Sequence, residues 1–494
     1  MFSTDLYAPE TIDNMLSVFR RVLETCLEQP QAAVASMPLL RDADYAKLDA
    51  MGLVRVEKTA YPRDSSVVDL FREQAAACPS RVAVKDSVAE MTYAQLDAAS
   101  DVLARWLARR SLAPETLVGC SPAEAAKPLL RSWAFSRPTW PTYRLMSRHQ
   151  QRGWKTFSSR PGHRLILVGA GAQLPSTKLS NIEFVSITEA LDEQSAEKPG
   201  LQMPTTLHGP SATSLAYVML LQDPPVSPRE SWWSIAALCA WCETTIWCST
   251  FRPRQSWRTW QTLLLTPRRG RYMAPSCGGT LVCIDAAMVL DAEAVLQTFH
   301  QHNINTAFIA TSLFRAYAEQ SPALIARLEM VCVGGERMHE HDLVVAREHL
   351  AGKFMHVYGP TENTTFSTTF LVSKNEQYTN GVPIGRALSN SGAYVMDSGL
   401  RLVPLGVVGE LVVTGDGLAR GYTDPARNVD RFVSVEIGGK TVRYRTVTTS
   451  AIALPTASWS SSAAWTARSR SEETGWSWAR SSTPSGATSR YERP

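Results

Sequence analysis

Apolar residues recur at helical spacing from the start of the chain. Ile12, Met15, Leu16, Phe19, Val22, Leu23 and Leu27 predict an amphipathic helix that Pro30 closes. Leu39-Leu40 and Tyr45, Leu48, Met51 and Leu53 predict a second short packed segment. Tyr61–Ser66 (Tyr-Pro-Arg-Asp-Ser-Ser) reads as a linker, and Ser66-Val67-Val68-Asp69 opens another amphipathic helix carrying Leu70, Phe71 and Ala75. A strand at Val82–Val84 leads through Met91–Asp97 to a helix over Ala98–Arg110. After residue 161 the apolar run Leu165–Val168 predicts a buried strand ending in Gly169-Ala170-Gly171. That lone G-x-G lacks the third glycine and the downstream acid of a dinucleotide fingerprint, and a plain strand-to-loop turn accounts for it.

Beyond residue 278 strand and helix alternate. Leu281–Ile284, Thr306–Ile309 and Met330–Val333 read as strands, Asp291–Asn303 and Ser312–Ala318 as helices. Such alternation predicts an α/β domain with a largely parallel sheet. Gly409–Thr414 and Thr441–Tyr444 read as strands of a later β-rich part, and no internal repeat is present.

Composition adds a constraint and an anomaly. At 494 residues, with 44% hydrophobic and 19% charged residues, the chain fits a soluble globular protein of more than one domain. No secretory leader or membrane-length apolar run is visible, and nine scattered cysteines do not form a disulfide framework, so a reducing cytoplasmic setting is expected. The net charge of +4 is unevenly spread. Residues 121–160, 221–275 and 447–494 together hold 20 Lys/Arg against 7 Asp/Glu, whereas the remainder holds 30 against 39. The same three stretches contain 13 of the 14 tryptophans, with only Trp106 outside.

The densest chemistry lies in Tyr358-Gly359-Pro360-Thr361-Glu362, continued by Asn363-Thr364-Thr365-Phe366. A rigid Gly-Pro turn there separates an aromatic face from a hydroxyl–carboxylate pair. That set suits a nucleotide: a ring against adenine, a hydroxyl for phosphate and a carboxylate for Mg²⁺. An ordinary surface turn is the alternative.

Four segments resemble, in order, core motifs of the adenylation domain of a nonribosomal peptide synthetase. Thr92-Tyr93-x-x-Leu96 resembles the first motif and Tyr358–Glu362 the fifth. Gly409-Glu410-Leu411, with Gly415-x-Gly417-x-Ala419-Arg420-Gly421-Tyr422, resembles the sixth, and Tyr444-Arg445-Thr446 begins the seventh. Residues 1–60 resemble the end of a preceding condensation domain with its linker, and the run Asn363–Thr369 has a fungal style. The resemblance implies the large N-terminal subdomain of the adenylate-forming (ANL-type) fold over residues 61–446, α/β with mixed, mostly parallel sheets and a β-rich part, the C-terminal subdomain being absent.

The second, third and fourth motifs of that family belong inside the two anomalous internal stretches and are missing from them. Tryptophan and methionine, with one codon each, restrict what a neighbouring reading frame can encode. Read from each codon's third base, Leu220–Ile235 permits STGSTGxxKGVMVEH, the family's phosphate loop. The same offset across Trp257–Met273 permits AHLxNIAFDASTWEIY, the fourth motif, and across Trp133–Lys155 LGxLKANLAYLPLD…PAARMED, the second. From Thr446 it permits TGD…DGQLEFxGRMDxQVKIRGxRVELGEIEH. We read 121–160 and 221–275 as out of frame and 447–494 as an out-of-frame tail, with a genuine set of tryptophan-rich insertions as the alternative.

The frame reading also disposes of two other features. Cys239-x-x-Cys242 with nearby Cys248 resembles half a zinc site but has no second ligand pair. The basic, Trp-rich stretches imitate a single-strand-binding groove, yet the offset explains both their Trp and their Arg, so no nucleic-acid partner is expected.

By resemblance, ATP and an amino acid would give aminoacyl-AMP and pyrophosphate, and the acyl group would pass to phosphopantetheine on a neighbouring carrier domain. Tyr358 with Gly359 would meet adenine, Thr361 the α-phosphate, and Glu362 would hold Mg²⁺. Gly334-Gly335-Glu336 would border the adenine and amino-acid sites, with Val331, Val333, Val357, Thr365 and Phe366 as pocket walls. Without a phosphate loop, and without the family's lysine, the chain as printed is expected to be inactive. With strands removed by the out-of-frame stretches, it is expected to be poorly soluble. Competing readings are another adenylate-forming ligase of the acyl-CoA ligase type and a non-catalytic remnant that binds at most nucleotide.

Overall fold

The computed structural model describes residues 9–120, 165–168, 182–196, 211–221 and 278–443 with short breaks, together with strands at 142–144, 229–234, 261–264, 451–453 and 459–461. Local sequence sets the element boundaries. Ser66 and Asp69 form a reciprocal capping box at the start of helix Val67–Ala77, and Thr92 and Gln95 do the same for helix Tyr93–Ala108. Asp291 caps helix Ala292–Gln301 by accepting from Glu293 and Ala294 N–H.

The central sheet has nine strands. From one edge to the other they run Arg386–Ala387, Thr368–Leu371, Lys353–Tyr358, Met330–Gly334, Thr306–Ala310, Gln261–Leu264, Thr280–Val282, Val82–Lys85 and Glu90–Thr92. The six inner strands, Lys353–Tyr358 to Val82–Lys85, are mutually parallel, and the outer pairings are antiparallel. A seven-stranded sheet is built on Val118–Cys120, Thr142–Arg144, Leu165–Val168, Glu183–Ser186 and the hairpin Leu215–Leu221/Arg229–Ser234, edged by Gly421–Tyr422. In the β-rich part, Ser391–Met396 pairs antiparallel with Val408–Gly415.

Side chains alternate across the central sheet, as the period of two requires. Met330, Cys332, Met355 and Val357 join a core shared with the β-rich part, whereas Val331, Val333 and Phe354 face helices Ala292–Gln301, Thr311–Gln320, Pro322–Ala326 and Val344–His349. Burial of Cys332 on all sides pushes its thiol up to about 12.

Two outcomes differ from the sequence reading. The expectation that out-of-frame stretches remove strands from the sheets is not met. Thr142–Arg144, Arg229–Ser234 and Gln261–Leu264 all pair, the last in the middle of the nine-stranded sheet between Thr280–Val282 and Thr306–Ala310. Strand pairing is a backbone interaction that many side chains permit. The first helix, Pro9–Glu28, forms as expected, but its apolar stripe faces outward. Met15, Leu16, Phe19, Leu23 and Leu27 are exposed, while Thr25 is buried. Among the described residues no helix is long and apolar enough to cross a membrane.

Candidate nucleotide site

Parallel strands Met330–Gly334 and Lys353–Tyr358 run side by side in register, Gly334 opposite Val357. Gly334-Gly335-Glu336 and Tyr358–Glu362 therefore leave the sheet together at its carboxyl edge, the place where open α/β sheets take ligands. Both glycines are structurally required. A Cβ on Gly334 would strike Val357, and Gly335 has φ 100° with open space where a side chain would stand.

After Tyr358 the chain makes a compact turn. Gly359 packs so closely on the returning strand that a Cβ would lie 2.6 Å from Phe366 Cα, and the Ser367 N–H donates to the Tyr358 carbonyl at 2.7 Å. Thr361–Asn363 form a single 3₁₀ turn, followed by Thr364 and Thr365 at φ 39° and 76°. The Phe366 N–H closes on the Thr364 carbonyl at 3.1 Å. A β-branched residue in this region is strained. Asn363 is buried and donates to Ser367 Oγ at 2.7 Å; among the described residues, its Oδ1 and Thr365 Oγ1 have no partner.

Glu362 is the focus of the turn. Its side chain is only 6% exposed, and its carboxylate accepts the Tyr422 hydroxyl proton. Its carbonyl accepts from Ala419 N–H at 2.8 Å, and Thr364 Oγ1 donates to the Gly417 carbonyl at 2.5 Å. Gly421 and Tyr422 also pair with Trp232 and Ser231 of strand Arg229–Ser234. The segment Gly417–Tyr422 therefore joins the Glu362 turn to the hairpin Leu215–Leu221/Arg229–Ser234. The hairpin's connecting residues, 222–228, lie outside the described residues, as do Gly169–Gly171, Cys239, Cys242 and Cys248.

Glu336 is held from behind. Arg315 forks onto Asp342 at 2.7 and 3.0 Å, donates to the Arg337 carbonyl at 3.0 Å and lies 3.4 Å from Glu336. Desolvation raises the Asp342 carboxyl, but hydrogen bonds from Arg315 and the His339 N–H outweigh it and hold the group below its ordinary value.

The sequence-predicted residues divide by place. Tyr358, Gly359, Thr361, Glu362, Gly334, Gly335 and Glu336 gather at the sheet edge. Val331 and Val333 are fully buried on the helix-covered face, whereas Val357 is buried on the opposite face; Phe366 packs there against Phe308, with ring centroids 5.4 Å apart. Thr365 stands in the turn itself at φ 76°, so these five do not make one continuous wall. Sequence reasoning missed the direct tie from Tyr422 to Glu362, for which the only signal was membership of a second motif 60 residues away. A separate cavity lined by Lys85, Glu90, Cys283, Gln301 and His302 includes none of the candidate residues.

Residues 268–423 match the model of the AMP-binding enzyme family. Nonribosomal peptide synthetase TES of Alternaria alternata is 49% identical over 449 residues, covering 90% of this chain and 9% of that protein. Nonribosomal peptide synthetase dtxS1 of Metarhizium robertsii is 44% identical over 460 residues, covering 90% of this chain and 6% of that protein. The chain thus spans less than a tenth of the length of these curated relatives. Among solved structures, the N-terminal subdomain of Klebsiella oxytoca NpsA in complex with 3-hydroxybenzoyl-AMSN matches with a TM-score of 0.69 at 20% identity, over 80% of this chain and 99% of that one.

The stretch that matches the AMP-binding enzyme family, residues 268–423, contains the carboxyl-edge turn. The chain is similar in sequence to nonribosomal peptide synthetases over 90% of its length, and it carries the N-terminal-subdomain fold of their adenylation domains.

Proposed function

We propose that the gene behind this chain encodes a unit that joins ATP to an amino acid, releasing pyrophosphate, and passes the acyl group to a carrier domain's phosphopantetheine. We further propose that the polypeptide as translated does not complete this reaction. The observation carrying the first part is the buried Glu362, clasped by Tyr422 and Ala419 N–H at the carboxyl edge of the parallel strands.

In this reading Tyr358 lies against adenine, with Gly359 keeping the turn tight beneath it, and Thr361 donates to the α-phosphate. Gly334, Gly335 and Glu336 border the nucleotide and the amino acid. Glu362 suits Mg²⁺, a hard cation that takes one or two carboxylates together with substrate phosphates. Tyr422 satisfies one oxygen of a carboxylate that has two to offer. When bound, the ion supplies positive charge against the phosphates. The chain's own part is to hold the reacting groups in line and keep water out. Thr365 and Phe366 serve as walls of the amino-acid pocket, with Val331, Val333 and Val357 supporting them from the core.

The second part rests on the shifted frames. The phosphate loop and fourth motif are legible at one offset and absent from the printed residues, while residues 1–60 retain the character of a condensation-domain end. Amino-acid-dependent ATP–pyrophosphate exchange is the test. The 494-residue chain is expected to show none. A frame-restored chain, extended by a C-terminal subdomain of this family, is expected to show exchange with one or a few amino acids. Robust exchange by the printed chain overturns the inactivity; silence from the restored protein overturns the assignment of the reaction.

A further inference from the structure

The Gly415–Leu418 turn is held from two sides. On the inner side, Gly417 and Ala419 make the backbone contacts to Thr364 and Glu362 described above, and a Cβ on Gly417 would come within 2.9 Å of Asn363 Oδ1. On the outer side, Asp416 accepts from the Tyr61 hydroxyl at Oδ2 and from Arg63 Nη2 at Oδ1, the latter at 2.5 Å. Asp416 and then Tyr61 raise the Arg63 guanidinium above its ordinary value.

Tyr61 and Arg63 lie in the linker, which is itself anchored just upstream. The Asn390 N–H donates to the Glu57 carbonyl at 2.7 Å. The Asn390 amide also brackets Thr59, accepting from its N–H at 3.2 Å and donating to its hydroxyl at 2.9 Å. Ser391 pairs with Gly415 across the β-rich part, so the linker grips two neighbouring turns at one end of the same strand pair.

We propose that Glu57–Arg63 is a strap that positions the Glu362 turn, with Asp416 as the positioning residue through which it acts. Tyr61 and Arg63 fix Asp416, Asp416 fixes Gly417 and Ala419, and those backbone groups fix the Glu362 main chain and the Thr364 side chain. A displacement of the chain ahead of residue 61 is then felt at the candidate nucleotide contact. The proposed consequence for nucleotide affinity rests on the reading of Glu362 given above; the mechanical link does not.

Amide hydrogen exchange tests the link in the full chain, because exchange reports local opening. In a Tyr61→Phe/Arg63→Gln double variant, and in Asp416→Asn, the Ala419 amide is expected to exchange about tenfold faster, the scale of losing hydrogen bonds to a charged acceptor. The amides of Val331–Gly334 are expected to be unchanged, and Arg63→Lys alone to stay near the parent. Unchanged exchange at Ala419, or equal acceleration throughout the sheet, overturns the proposal. AMP titration of the parent and double variant separates the two layers. Several-fold weaker binding by the variant supports the full proposal, and equal binding by both overturns the link to affinity. Absence of binding to either refutes the nucleotide reading and leaves the exchange result to decide the strap.

Discussion

Tyr422 donates its hydroxyl proton to the Glu362 carboxylate from the edge strand of a different sheet. The two residues belong to separate motifs, and the hydrogen bond makes them one unit: a buried carboxylate is stable only when its oxygens find donors. Tyr422→Phe removes the hydroxyl while keeping the ring's edge-on contact with Phe432, 5.6 Å between centroids. We expect a loss of about 1.5–3 kcal/mol in urea denaturation, the range for a hydrogen bond to a charged group. A loss below about 0.3 kcal/mol would remove the phenol from the account of Glu362.

Asp342→Asn should be costly without touching the turn itself. It replaces the carboxylate that Arg315 grips with two nitrogens. The Asp342 side chain is 1% exposed but Arg315 is 30% exposed, so the upper range for broken buried pairs is discounted to about 1–3 kcal/mol. Denaturant midpoints check the cost, and proteolysis at Glu336–Arg337 checks that the loop has loosened.

His356 predicts acid lability. It is 3% exposed, and its Nδ1 lies 2.8 Å from the Pro383 carbonyl, which can only accept, so the proton sits on Nδ1. Desolvation pushes its pKa below the ordinary 6.5 despite that carbonyl, the Glu336 backbone and Asp342. The unfolded state then binds the proton more readily, and stability falls as pH drops below 6.5, by up to about 1.4 kcal/mol per pH unit. Urea midpoints at pH 7.5 and 5.5 measure the slope, and His356→Gln is expected to flatten it.

Thr365→Gly should stabilise the fold. Glycine accepts φ 76° without the steric cost that threonine bears, and the buried Thr365 hydroxyl has no partner among the described residues. We expect a gain of about 0.5–1 kcal/mol after the entropy of the added glycine. A lower melting temperature would mean that the threonine methyl contributes more packing than its backbone costs.

Periodicity made the parallel core legible. The apolar run Met330–Val333 and the helix start at Ser66–Asp69 located their elements to within a residue or two, whereas the helix expected over Ala98–Arg110 begins earlier, at Tyr93, because Thr92 and Gln95 cap it there. Strand Ser391–Met396 was missed because Ser391, Gly392 and Ala393 carry little β signal of their own, and pairing with Val408–Gly415 supplies what propensity lacks. The outward stripe of helix Pro9–Glu28 was invisible for a different reason: amphipathic spacing reveals that a face exists, not which way it turns. At the site, residue types were legible while their ties were not. Tyr422–Glu362 and Tyr61–Asp416 join residues 60 and 355 positions apart, and nothing local in the sequence brings them together.

Cys332 gives the molecule an internal clock. A thiol buried in an inner strand of the parallel core, with its pKa pushed up to about 12, offers almost no thiolate to an alkylating reagent at neutral pH, whereas Cys26 stands exposed on the first helix. Cys26 should therefore label at once, and Cys332 only each time the core sheet opens. The ratio of the two rates would time the breathing of the central sheet.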